Sequence, residues 1–159
     1  MENITVYDGK SGVIQATAKL VIKNFLEVMS GFKPRKSFDS VPFMVGDTPM
    51  TLEVYPNGYY DWCRGYVSIL IRNKGEADIS MKYQLITDVE TDENDYMDLE
   101  AKDYGGVFKF TTHAKCAEAY SDKDFVVMAK VETPGENVML THSTAATKGS
   151  HPSKDTGIL

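Results

Sequence analysis

Apolar and polar positions alternate with a period of two along most of this chain. Across residues 17–25, "TAKLVIKNF", Ala18, Leu20 and Ile22 interleave with Lys19, Val21 and Lys23, which is how a half-buried strand reads. Residues 37–45 ("SFDSVPFMV"), 50–55 ("MTLEVY"), 66–71 ("YVSILI"), 79–89 ("ISMKYQLITDV") and 124–132 ("DFVVMAKVE") are further strand runs, with 97–101 and 106–112 as two short ones. Only residues 113–121, "HAKCAEAYS", carry a turn or two of helical spacing. About eight strands punctuated by turn signals predict an all-β fold, an antiparallel sandwich. Residues 1–16 read as an N-terminal extension, 17–140 as the domain, and 141–159, made of small polar residues that bury little surface, as a flexible tail.

Parity along the strands sorts the tyrosines. Val67, Ile69 and Ile71 share one apolar face, so Tyr66 and Ser68 fall on the other. Tyr83 shares its face with Ile79, Met81 and Leu85, which directs it to the core. Tyr96 and Tyr104 flank a short segment in which no alternation is legible. Five rings, Tyr55, Tyr59, Tyr60, Trp62 and Tyr66, crowd around Pro56-Asn57-Gly58, a turn in which Pro fixes φ and Gly permits positive φ. Tyrosine combines a rigid apolar body with a polar tip and suits half-exposed interface positions.

Charge and composition narrow the function classes. With 159 residues and 42% hydrophobic content, the chain is long enough for one self-sufficient core. A net charge of −6 argues against nucleic acid, whose binding needs a basic footprint to release counterions. No stretch is long and apolar enough to span a bilayer, and no basic-then-apolar leader opens the sequence. Cys63 and Cys116 form no CxxC or Cys/His zinc spacing. A reduced, cytoplasmic setting is the expectation.

Little in the sequence suggests catalysis. His142 and His151 fall in the tail, which leaves His113 alone, and a lone His in a sandwich reads as a surface or satisfied structural residue. No GxSxG, HExxH, P-loop or GxGxxG occurs. The expectation is therefore no enzyme, no cofactor and no metal. One stretch competes: Asp88, Glu90, Asp92, Glu93, Asp95 and Asp98 crowd residues 88–98 without a base, as a calcium site of clustered carboxylates would. As an EF-hand it fails, with Glu93 at the sixth position and Leu99 at the twelfth. A calcium- or lipid-responsive C2-like sandwich is the alternative, and a solvated acidic loop the plain reading.

The order of segments resembles the MATH domain, the TRAF-like β-sandwich of TRAF adaptors, meprins and speckle-type POZ protein. "KLVIKNF" is similar to the family's first strand ending in Asn-Phe, and "MTLEVYPNG" to its Trp-x-Leu-x-Val/Leu-Tyr-Pro-Asn-Gly signature, with Met50 in the Trp place. "YVSILI", "SMKYQLI", "KDYGGVFKF" and "SDKDFVVMAKVE" resemble the strands that follow it, so the likeness covers residues 17–132. Tyr104 stands in a Trp place, a second glycine follows at Gly106, and Trp62 is expected to supply the volume that Met50 lacks.

The resemblance implies a protein-interaction module that binds a short linear motif of a partner protein in a shallow groove, in an adaptor or substrate-recognition role. The physical basis would be strand addition to an open sheet edge. Carried over position by position, Tyr66, Tyr83, Tyr96 and Tyr104 match groove aromatics, and Gly106 and Val107 lie on the strand that pairs with the peptide. No coiled-coil heptads are present, so a monomer is the expected state, with self-association the alternative.

Overall fold

The computed structural model describes the backbone of residues 3–8 and residues 12–135 in full. Among them, ten strands form two antiparallel sheets. Sheet A runs β1 (Asn3–Asp8), β2 (Val13–Ile22), β10 (Phe125–Pro134), β7 (Ile79–Ile86) and β8 (Thr91–Leu99) from edge to edge. Sheet B runs β3 (Phe38–Asp39), β5 (Thr48–Tyr55), β6 (Tyr66–Asn73) and β9 (Tyr104–Thr112), with β4 (Phe43–Val45) also paired to β5.

The inner faces meet in a core whose alternation is the one written in the sequence. Leu52, Val54, Val67, Ile69 and Ile71 of sheet B are fully buried, as are Ala18, Met81, Leu85, Val127 and Val131 of sheet A. Burying one such Val, Leu or Ile side chain is worth roughly 1.5–3 kcal/mol. Tyr83 lies among them at 4% exposure, as its parity requires.

The strand count exceeds the expected eight by two, from a split run and an added N-terminal strand, and one short strand is longer than expected. The 37–45 run breaks into β3 and β4 around Pro42, which has no N–H to give a ladder. Asn3–Asp8, inside the span read as an extension, pairs with residues 13–18 of β2; its Ile-Thr-Val-Tyr run is as β-prone as any in the chain. The acidic stretch read as a loop is largely β8, paired to β7 from Ile79↔Leu99 to Ile86↔Thr91 across one bulge. Low strand propensity is overridden there by a ready-made edge, and charges on an outermost strand also deter pairing with other chains. The span 141–159 lies outside the described residues.

One helix was not legible. The strand expected to reach residue 25 ends at Ile22, Asn24 takes a left-handed conformation (φ 54°), and α1 (Phe25–Gly31) follows. Asn tolerates that region better than most residues. Phe25 is buried, stacked on Phe125 with ring centroids 4.2 Å apart. The second helix, α2 (His113–Ala119), falls where helical spacing was read, and Thr112 caps it by accepting from Lys115 N–H.

Candidate functional site

The connection from β5 to β6 carries the crowded aromatics, and hydrogen bonds pin it flat against the outer face of sheet B. Gly58 N–H closes the turn on Tyr55 O at 3.1 Å, with Gly58 at φ +84°. The Asn57 amide donates to Met29 O at 2.7 Å and to Phe32 O, satisfying carbonyls at the end of α1. Ser68 Oγ accepts from Tyr59 N–H and donates to Phe108 O at 2.6 Å, which explains a fully buried serine on the outward face of β6. His113 is a satisfied structural residue, its Nε2 2.8 Å from Pro56 O.

These anchors lay down an aromatic layer. The Tyr59 ring packs at 5.0 Å from Tyr55 and 5.2 Å from Tyr104, and Tyr60 stacks on Trp62 at 5.5 Å. Tyr60 and Tyr104 share a hydroxyl hydrogen bond of 2.9 Å. Trp62 does not replace the signature Trp: the 3-10 helix Asp61–Cys63 turns Cys63 inward and leaves Trp62 57% exposed, while Met50 fills its own buried position.

Beneath the layer, Glu53 accepts from Arg72 Nε at 2.7 Å and from the Tyr55 hydroxyl at 2.5 Å. A buried carboxylate needs such partners. The Arg72 guanidinium also sits 5.0 Å from the Tyr104 ring. Burial first, then the Glu53 hydrogen bond, raises the Tyr55 phenol, and burial followed by the Tyr60 hydrogen bond raises Tyr104.

β9 is the free edge of sheet B. Asn73 N–H donates to Asp103 O, and the register pairs Arg72 with Tyr104 and Leu70 with Gly106. Antiparallel strands alternate hydrogen-bonded and open pairs, so the backbone groups of Tyr104 and Gly106 point off the open edge. Gly106 (φ +147°) must be glycine, because a Cβ there would lie 2.4 Å from Ile69 O and 2.7 Å from Leu70 Cα. Where β9 faces the start of β8, a cleft of about 330 Å³ opens, lined by Tyr66, Val107, Lys109, Phe110, Asp92 and Thr111 among others. Thr111 Oγ1 is buried there without a hydrogen-bond partner among the described residues.

The residues singled out in the sequence do not all converge. Tyr66 and Val107 line this cleft together, and Gly106 and Tyr104 sit on the same edge strand. Tyr83 is in the core, where burial and then the Asp92 charge push its phenol up to about 12. Tyr96 turns to the outer face of sheet A, under the Lys82 ammonium and 3.4 Å from Glu132. Phe108, Lys109 and Thr111 were missed; their positions around a β-bulge between Val67 and Ile69 leave no readable period.

A larger cleft, about 640 Å³, lies on the outer face of sheet A. Its floor is formed by β2, β10 and β7, whose neighbours on both sides already pair with their backbones. Its polar side chains engage each other, with Lys82 3.4 Å and Gln15 2.9 Å from Glu132. The acidic run, placed on a strand and the turn before it, diverges. Asp92 faces inward with Leu85, Glu93 lies beside Gln84, and Glu90 and Asp88 pair with Lys115 and Lys123. Among the described residues no group of three or more His, Cys, Asp or Glu side chains is placed to hold a metal ion. No described helix is long and apolar enough to cross a membrane.

No protein-family model and no curated protein sequence matches the chain. The structure is similar to that of TRAF5 from Notothenia coriiceps, with 17% sequence identity and a TM-score of 0.52 over 75% of this chain and 74% of that one. Two sheets with these strand orders and this neighbour define the fold: the chain is a TRAF-like antiparallel β-sandwich.

Proposed function

We propose that this chain is a MATH-type, non-catalytic interaction module that captures a short extended segment of a partner protein along β9. The observation that carries the reading is the open β9 edge, where the backbone of Gly106 points away from β6 and the Tyr104 N–H is held only by the neighbouring Asp103 carboxylate, beside a cleft lined by Tyr66 and Val107. Strand addition supplies affinity through the backbone, and the cleft supplies selectivity through side chains.

The other described edge next to it, β8, is guarded by Glu93, Asp95 and Asp98, all exposed. β9 offers glycine, valine and phenylalanine instead, so the two edges are not equivalent. An adaptor or substrate-recognition role for a monomeric, cytoplasmic protein accords with such a site. Tyr83 and Tyr96 both lie outside this cleft.

Peptide display on the full chain, followed by the Tyr66→Ala and Val107→Thr variants, tests the proposal. Each variant is expected to weaken a selected peptide by ~1 kcal/mol or more with the circular dichroism spectrum unchanged. Selected peptides that bind both variants as they bind the parent would contradict it.

A further inference from the structure

The outer face of sheet B carries a second arrangement that the open edge does not need. Cations and rings join into one continuous ladder. The Arg35 guanidinium lies 5.3 Å from the Tyr59 ring and 5.4 Å from Tyr60. Tyr60 stacks on Trp62, and the Lys109 ammonium stands 5.6 Å from Trp62 and 5.2 Å from Tyr66. Arg35 is held in place, its backbone N–H donating to Gly58 O and its Nε to Tyr59 O.

Cations without a salt bridge gather in the segments around this ladder; the others among the described residues are Lys19, Lys23 and Lys130 on or beside strands of sheet A and Lys74 just after β6. Lys82, Lys102, Lys115, Lys123 and Arg72 each have a carboxylate within salt-bridge distance. Arg35 and Lys109 rest on aromatic faces without any such partner among the described residues. Arg64, two positions after Trp62, is exposed and likewise unpaired, as are Lys33 and Lys36 on either side of Arg35. Asp61, the carboxylate within this segment, makes no ion pair with any of them. The result is unpaired cationic surface on a protein of net charge −6, with the chain's single Trp at its centre, 57% exposed.

We infer that this ladder is a binding site for an acidic, aromatic-containing segment of a protein partner. Carboxylates would meet Arg35, Arg64 and Lys109, and an aromatic side chain would lie against Trp62. Arg35 Nε is held by Tyr59 O, which leaves its terminal amino groups to meet a carboxylate with little side-chain ordering. Nucleic acid binds through a run of phosphates neutralised along an extended basic footprint, and an oligonucleotide titrated in parallel separates it from an acidic peptide. The site shares Tyr66 and Lys109 with the cleft beside β9 and is distinguished from strand addition by Arg35, Tyr60 and Trp62, none of which belongs to that edge.

Trp62, as the only Trp, reports its own occupancy by fluorescence. The probe is the peptide Glu-Glu-Tyr-Glu-Glu, titrated into the full chain, with Lys-Lys-Tyr-Lys-Lys and a single-stranded oligonucleotide in parallel. The acidic peptide is expected to change Trp62 emission saturably and the basic one not at all. An Arg35→Gln, Lys109→Gln double variant, folded by circular dichroism, is expected to weaken the acidic peptide about tenfold, and added salt to weaken it in the parent.

Four results would overturn the inference. They are no saturable change with the acidic peptide, equal affinity of parent and variant, tighter binding of the oligonucleotide, or an emission shift on simple dilution that places a second copy of the chain there. A Val107→Thr variant that loses display-selected peptides yet keeps the acidic one separates this site from the β9 edge.

Discussion

Single residues divide into those that hold the sandwich and those offered to a ligand. Tyr83 is of the first kind, 4% exposed on an inner face. Tyr83→Ala is expected to cost about 3 kcal/mol or more in urea unfolding, since the ring leaves a cavity that the core closes only partly. Its hydroxyl gives a second, separable signature. Burial pushes the Tyr83 phenol up to about 12 and the Cys116 thiol up to about 11. Both stay protonated in the fold at pH values where the unfolded chain has begun to ionise. The stability they contribute is whole below about pH 9 and is lost as pH rises through 9 to 12. Tyr83→Phe keeps the packing and should flatten the upper part of that decline, read from unfolding midpoints at neutral pH and near about pH 11. A decline in Tyr83→Phe as steep as in the parent would assign the alkaline sensitivity to other groups.

Elements show where a sequence speaks and where it falls silent. β7 and β10 were legible because each has one buried face, and a period of two survives whatever the neighbours do. β6, buried on both faces from Val67 to Ile71, was legible as a short run of β-prone apolar residues. The parity of Tyr66 and Tyr83 was legible because side chains alternate between faces along any strand. β8 was not, because its acidic residues have low strand propensity and its place is set by pairing to β7. α1 was hidden by seven residues too few to show a helical period, and by an Asn24 turn that only the backbone reveals. The candidate site was half readable: Tyr66 and Val107 meet in the cleft, whereas Tyr96 sits eight positions before Tyr104 yet faces Lys82 and Glu132 on the other sheet. Sequence spacing carries no information about which sheet a strand joins. On β9 itself, Gly106→Ala places a Cβ against Ile69 O and Leu70 Cα. That change should destabilise the fold by about 2 kcal/mol or more, because neither backbone atom can move aside without opening the β6–β9 ladder. A variant with parental stability would mean that the two strands separate more readily than their register implies.

For the whole molecule, two described edges lie on the same side of the sandwich and are treated oppositely. β8 is covered with exposed carboxylates, while β9 carries two glycines, valine and phenylalanine beside a cleft. The rest of the architecture serves that difference. α1 receives Asn57, the turn lays the aromatic layer on β6, Ser68 ties that layer to Phe108, and Arg72 seats Tyr104 over Glu53. Electrostatics follow the same division, with acidic β8 on one side and the Arg35-to-Lys109 ladder on the other. A basic substitution on β8, Asp95→Lys, is therefore expected to leave the melting temperature within a few degrees, as exposed charges do. It should also increase concentration-dependent association by removing one of the charges that guard the edge, measured by light scattering. Unchanged scattering would show that β8 is protected by its twist or bulge alone.

The measurement that bears most directly on the central claim is amide hydrogen exchange of the full chain, resolved by residue, with and without a display-selected peptide. Strand addition predicts that the Gly106 amide, which points off the open edge, becomes strongly protected, while those of β1 and β3 at the far edges stay as they were. Protection that appears instead on the outer face of sheet A, around Lys82 and Glu132, with Gly106 exchanging as in the free protein, would contradict the account.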